Sequence, residues 1–223
     1  MFCWKKKKAD PREVFIGMLL PEDRKILDVG CADGSLGARL VKQGREVIGL
    51  EKDERLCVQA KAVLTQAITG DAQSGLLPFS SGYFDAIMYA DVLEHLIDPA
   101  ALLKQHRTYL KHGGTLIVSL PNVRYYKVME QVFLKGVWDY RDAGILDKTH
   151  MRFFTLTNMK ELLGQAGYEV LEIKRNIVAS SFYRILNGLC FGLAREFLTY
   201  QYYFKARKVD GPVKLPPRKI PQF

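Results

Sequence analysis

The stretch from Ile26 to Gly37, Ile-Leu-Asp-Val-Gly-Cys-Ala-Asp-Gly-Ser-Leu-Gly, constrains the fold of this chain more than any other segment. Ile26 to Val29 reads as a buried strand, Gly30 and Gly34 permit a tight turn, and Leu36 to Val41 opens an amphipathic helix. A strand that bends through glycines into a helix leaves backbone N–H groups free beside a bound nucleoside.

The alternation continues. Glu46 to Glu51 is a short strand ending in an acid, Glu54 to Leu64 has helical spacing, and Ala67 to Asp71 is a third strand with a turn. Tyr83 to Tyr89 has the apolar character of a strand buried on both faces. Pro99 to Leu110 reads as a helix ended by Gly113 and Gly114, and Thr115 to Ser119 as a fifth strand. This spacing predicts βαβ units, hence a parallel sheet with right-handed crossovers. From Pro121 to Thr155 the rhythm gives way to an aromatic-rich segment (Tyr125, Tyr126, Phe133, Trp138, Tyr140, Phe153, Phe154), a length expected of a lid or binding loop. Thr157 to Ala166 returns to helix, with Thr157 as its expected N-cap and Gly167 as its stop. Tyr168 to Lys174 and Tyr200 to Arg207 read as the last strands. The apolar positions of Ser180 to Leu198 recur at helical intervals, as in a core or homodimer-interface helix; a lipid-facing helix is the alternative.

Composition narrows the class. With 223 residues, 48% hydrophobic and 26% charged, the chain suits one α/β domain with insertions. The expected organisation is one domain over 1–208, with a lid insertion at 121–155, a helical insertion at 180–198, and a Pro-rich basic tail at 209–223. No apolar run reaches the roughly 20 residues that span a bilayer. No apolar core follows Lys5 to Lys8, so a signal peptide is not expected. Cys3, Cys31, Cys57 and Cys190 form no Cys-x-x-Cys pair, which fits reduced thiols in a cytoplasm and speaks against a zinc site or disulfide frame. Much of the net charge of +9 sits at the two ends, as in solvated termini. Peripheral contact with the inner membrane face is the alternative use of that charge.

Three acids stand at expected strand tips, where open α/β sheets bind ligands. Asp28 can accept from an amino-acid ammonium, Glu51 from two ribose hydroxyls, and Asp71 from an adenine amino group. S-adenosylmethionine carries all three donors.

Leu27 to Gly34, Glu51, Gly70 to Ala72, Phe84 to Ile87, Leu93 to Pro99 and Leu110 to Val118 together resemble the successive motifs of class I S-adenosylmethionine-dependent methyltransferases. The resemblance implies a Rossmann-like, doubly wound α/β fold: a seven-stranded sheet, last strand antiparallel, with helices on both faces. It implies cofactor contacts from Asp28, Gly30, Cys31, Ala32, Gly34, Glu51, Lys52, Asp71, Ala72 and Asp91. Ala32 stands where the family often has glycine, a costly exchange only if that residue takes positive φ.

Transfer to a hydroxyl requires an aligned nucleophile and removal of its proton. His150 is the leading candidate base, with Asp147 placed to orient it if a helical turn forms. His95 is the second, and Glu94 with His95 is expected to fix the loop beneath the substrate. The set Asp91, Glu94, His95 and His150 is also similar to the acid-x-x-Glu-His plus distant His by which small-RNA 2′-O-methyltransferases and ubiquinone-pathway O-methyltransferases hold a metal. A divalent cation is therefore the secondary expectation.

Ser119 to Val123, Trp138 to Tyr140 and Leu146 to Thr155 resemble a bacterial methyltransferase subgroup linked with surface-polysaccharide and lipid-linked sugar synthesis. The preferred acceptor on these grounds is a sugar hydroxyl or lipid-linked glycan intermediate. RNA and quinone or small-phenol methylation are the enzymatic alternatives, and a non-catalytic cofactor-binding scaffold is the alternative from another class.

Overall fold

The computed structural model describes residues 10–74, 76–178, 188, 194–211 and 213. In chain order its elements are α1 (Pro11–Ile16), β1 (Lys25–Val29), α2 (Ser35–Val41), β2 (Glu46–Glu51), α3 (Glu54–Lys61), β3 (Gln66–Thr69) and β4 (Phe84–Ala90). A 3₁₀ turn (Leu93–His95) leads to α4 (Pro99–His106), β5 (Leu110–Pro121), α5 (Tyr126–Phe133), α6 (Leu156–Gln165) and β6 (Tyr168–Ile177). A short helix (Arg195–Leu198) precedes β7 (Thr199–Lys208).

The strands form one seven-stranded sheet in the order β3-β2-β1-β4-β5-β7-β6. Pairing is parallel from β3 to β5, and β7 runs antiparallel to both neighbours. Alternate side chains of each strand face opposite ways, which sorts the core into two halves. β1 sends Leu27 and Val29 to one half and Ile26 to the other, and β4 divides Ile87 and Tyr89 from Ala86 and Met88. Phe15, Leu36, Leu40, Cys57 and Ala60 bring α1, α2 and α3 onto the Ile26 side. Leu102, Leu103, Met159 and Leu162 bring α4 and α6 onto the other. This is the doubly wound arrangement expected.

Several boundaries differ from the sequence reading, two of them at turn or cap residues. Gly113 and Gly114 do not end a helix: α4 stops at His106, and the pair lies inside β5. Opposite β4 the register passes from Phe84↔Leu110 to Ala86↔Thr115, so the glycines form a bulge, with Gly113 at φ +68°. The N-cap of α6 is Thr155 rather than Thr157, its side chain accepting from the Asn158 N–H. The first follows from the β4–β5 register, which the sequence does not display, and the second from two threonines, Thr155 and Thr157, standing at the start of one helix.

The 121–155 segment is partly ordered by its own core of Tyr125, Val128, Ile145 and Leu146. Its stem closes at an Asn122–Phe154 bridge, where the Val123 N–H donates to the Phe154 carbonyl at 3.0 Å. Asn122 Nδ2 donates to the carbonyls of Glu196 and Thr199, both at 2.8 Å. Most of the expected 180–198 helix lies outside the described residues, as do the Lys5 to Lys8 run and nearly all of the tail. Among the described residues no helix is long and apolar enough to cross a membrane.

Candidate active site

The carboxyl ends of β1, β2 and β4 open into a cleft whose two lobes, about 300 and 340 Å³, share Gly30 and Asp91. Asp28, Cys31 and Ala32 line the first, facing Gln201 and Tyr203 of β7. Glu51, Lys52, Asp71, Ala72, His95 and Thr149 line the second. Of the three strand-tip acids, Asp28 thus faces the first lobe, and Glu51 and Asp71 the second. Gly34 does not line it. That glycine, at φ +78°, lets the turn pass α3, where a Cβ would stand 3.1 Å from the Ala60 Cα.

Glu51 shapes the turn as well as the cleft. Its Oε2 accepts from the Ala32 N–H and its Oε1 from the Asp53 N–H, both at 2.9 Å. Ala32 is held at φ +48°, the left-handed conformation that makes alanine costly where the family often has glycine. Gly30 has no such latitude: a Cβ there would come within 2.6 Å of a Val92 methyl. Asp28 is 1% exposed, and its Oδ2 has no hydrogen-bond partner among the described residues. Burial, reinforced by the Glu51 charge, pushes its carboxyl up to about 7. Burial likewise lifts the Cys31 thiol to about 12, with Asp28 adding to it, so it is no thiolate at neutral pH.

Asp91 also departs from the ordinary backbone, at φ +56°. Its Oδ1 accepts from Ser119 Oγ at 2.6 Å and from Gln201 Nε2 at 2.5 Å, and the Tyr203 hydroxyl donates to Gln201 Oε1 at 2.7 Å. The sequence reading missed Gln201 and Tyr203. Their signal was a lone amide among the aromatic residues that open β7.

Beyond the second lobe, Glu94 and His95 of the 3₁₀ turn meet His150 from the far end of the 121–155 segment. One ligating atom from each lies within 4.8 Å of the others. Asp91 stands outside this group because Ser119 and Gln201 hold its carboxylate, which corrects the four-residue metal set. Asp147 does not orient His150. Its carboxylate accepts from the Thr149 N–H at 2.8 Å and hydroxyl at 2.6 Å, while His150 Nδ1 faces the Ile145 carbonyl at 2.9 Å. A carbonyl only accepts, so in the neutral ring the His150 proton sits on Nδ1 and Nε2 carries the lone pair.

His95 is set the same way. Its Nδ1 faces the Thr149 carbonyl at 3.3 Å and the Thr149 hydroxyl at 3.1 Å, the latter already donating to Asp147. Burial, then the neighbouring His150, lowers the His95 pKa and keeps the ring neutral. Both oxygens of Glu94 are buried without partners among the described residues, and burial, then the Asp91 charge, raises its carboxyl well above the usual range. The Glu94 carbonyl does fix a loop, accepting from the N–H groups of Met151 and Arg152 at 2.8 and 3.0 Å.

Comparison with known proteins agrees with this geometry. Residues 5–173 match the model of a family described as a methyltransferase domain. The chain is 30% identical over 157 residues to a ubiquinone biosynthesis O-methyltransferase of Cereibacter sphaeroides, covering 69% of this chain and 63% of the relative. It is 31% identical over 148 residues to a probable S-adenosylmethionine-dependent methyltransferase of Mycolicibacterium smegmatis, covering 66% and 52%. The chain thus spans less than two thirds of these relatives. Among solved structures, a SAM-dependent methyltransferase from Archaeoglobus fulgidus shares the fold with a TM-score of 0.65 at 21% identity, covering 88% of this chain and 90% of that one. With a family match over most of its length, the chain belongs to the class I S-adenosylmethionine-dependent methyltransferases.

Proposed function

We propose that this protein transfers a methyl group from S-adenosylmethionine to a hydroxyl of a small-molecule acceptor, a phenol or quinol rather than the sugar that the sequence alone favoured. The observation that carries the reading is the pair of imidazoles, His95 and His150, each with Nδ1 facing a backbone carbonyl, an arrangement that leaves Nε2 as the acceptor of the neutral ring. A phenol, with a pKa near 10, yields its proton to imidazole far more readily than an alkyl hydroxyl does. The ubiquinone-pathway relative supports the same class of acceptor.

The residues present fit the cofactor, because the buried, unpartnered Asp28 oxygen suits a cationic ammonium. Asp28 binds that ammonium, Glu51 the ribose hydroxyls, and Asp71 the adenine amino group. When bound, S-adenosylmethionine supplies a methyl group on a positively charged sulfur. His150 Nε2 takes the acceptor proton as the acceptor oxygen bonds to the methyl carbon. The bound cofactor would keep the carbon–sulfur electron pair and leave as a neutral thioether, so no residue here need protonate the leaving group. His95 and Glu94 stand beside His150, one ligating atom of each within 4.8 Å of the others.

Methyl-labelled cofactor offered to catechols, simple phenols, nucleotide sugars and RNA tests the reading. Label is expected in the phenols, with His150→Gln lowering kcat by about 100-fold or more at unchanged cofactor affinity. Label confined to sugar or RNA, or full kcat in His150→Gln, would refute it.

A second reading rests on one observation, the two unpartnered oxygens of Glu94. A divalent cation held by Glu94, His95 and His150 would give them a partner and lower the pKa of an acceptor hydroxyl. Loss of turnover on exhaustive chelation, restored by added magnesium or manganese, would favour it over the imidazole base.

A further inference from the structure

A second cavity, about 210 Å³, lies away from the cofactor cleft, between α5 and the loop that ends at Leu146, with Tyr200 of β7 at its edge. Its walls are largely apolar and aromatic, and the charged groups set into them are all cationic. Lys127 and Arg141 both line it, and no acid among the described residues does. Gln131, 6% exposed, also lines it. Arg141 Nη2 donates to Gln131 Oε1 at 3.2 Å. A guanidinium has no acceptor, so this contact settles which end of the amide is oxygen. The other end, Nε2, is then a buried donor with no partner among the described residues. A buried donor without an acceptor is costly in a folded protein, and an anionic oxygen satisfies it.

We propose that this cavity is a subsite for an oxyanion, a phosphate or carboxylate borne by the methyl acceptor. Arg141 supplies a planar fork matched to such a group, Lys127 a second charge, and Gln131 Nε2 a neutral donor. The subsite adjoins the proposed chemistry through Ile145. That residue lines the cavity, and its carbonyl holds His150 Nδ1 at 2.9 Å. An acceptor anchored here by its anionic group lies on the loop that also positions the histidine. As an acceptor subsite the inference rests on the function proposed above, but its anion affinity can be measured independently.

Calorimetric titration of the full chain with inorganic phosphate and, separately, with benzoate tests it, with ionic strength held constant by chloride. One or both should bind, and the Lys127→Met/Arg141→Met double variant should weaken that binding at least tenfold. S-adenosylmethionine affinity should be unchanged in the variant, since neither residue lines the cofactor cleft. Phosphate binding alone identifies a phosphorylated acceptor, and benzoate binding alone a carboxylated one. Binding of neither, or equal binding to the double variant, overturns the proposal. Lys127→Met alone, a change at an exposed side chain, should lose a smaller share of the affinity, which guards against a misfolded double variant. Failure of cofactor binding with anion binding intact would count against the methyltransferase reading and leave the subsite standing.

Discussion

Asp28 combines burial with an unmet hydrogen bond, and its titration makes the cofactor reading measurable. With its carboxyl at about 7 in the free protein, it holds a proton below that pH, while a bound ammonium favours the carboxylate. Affinity for S-adenosylmethionine should therefore rise from pH 6 to pH 8, with proton release on binding that varies with buffer ionisation enthalpy. Asp28→Asn should flatten this dependence and cost about 10- to 100-fold in affinity at pH 8. A pH-independent affinity in the native chain would show that Asp28 does not meet the ammonium. Four positions along lies the strained Ala32 at φ +48°. Ala32→Gly should raise unfolding free energy by about 1 kcal/mol in chemical denaturation, because glycine adopts this conformation without penalty. An unchanged or lowered midpoint would argue against strain there.

Among the elements, the 121–155 segment depends most on a few contacts. Asn122 ties its stem to the residues before β7 through two hydrogen bonds at 2.8 Å. Asn122→Ala leaves the Glu196 and Thr199 carbonyls without that donor and should cost about 2 kcal/mol. Faster amide exchange should be confined to the 121–155 segment and the start of β7, and uniform protection would contradict this anchoring role. The same element shows what the sequence could reveal. β1, β2 and β4 were readable because short apolar runs bounded by turn residues are local, and these strands place Asp28 and Glu51 without further information. The pairing of Asp91 with Gln201 was not readable, since it spans 110 residues and depends on β7 lying beside β5. The proton on His150 was equally hidden: Asp147 is the nearer acid in sequence, but the turn gives its carboxylate to Thr149 and leaves the Ile145 carbonyl for the imidazole.

For the whole molecule, buried titratable groups set opposing pH trends in stability. His106 is fully buried against Tyr89, its Nδ1 2.8 Å from the tyrosine hydroxyl, and burial lowers its pKa to about 4. The unfolded chain therefore binds the extra proton first, so this contribution is intact above pH 6.5 and is lost as pH falls toward 4. Asp28 acts in the other direction. Its folded pKa of about 7 exceeds the unfolded 3.8, so its share of stability is lost as pH rises from about 4 through 7. His106→Gln should remove the first trend, and unfolding free energy in the variant should fall more steeply from pH 4 to 7 than in the native chain. Parallel profiles would mean that His106 is not held neutral. The proposed function itself needs the two lobes around Gly30 and Asp91 to act as one binding site. Titration calorimetry of the full chain with S-adenosylmethionine at pH 8 tests this most directly. One molecule should bind per chain, and Asp28→Asn should weaken it. A folded native chain that gives no binding heat at any temperature tried would contradict the cofactor site and the chemistry built on it.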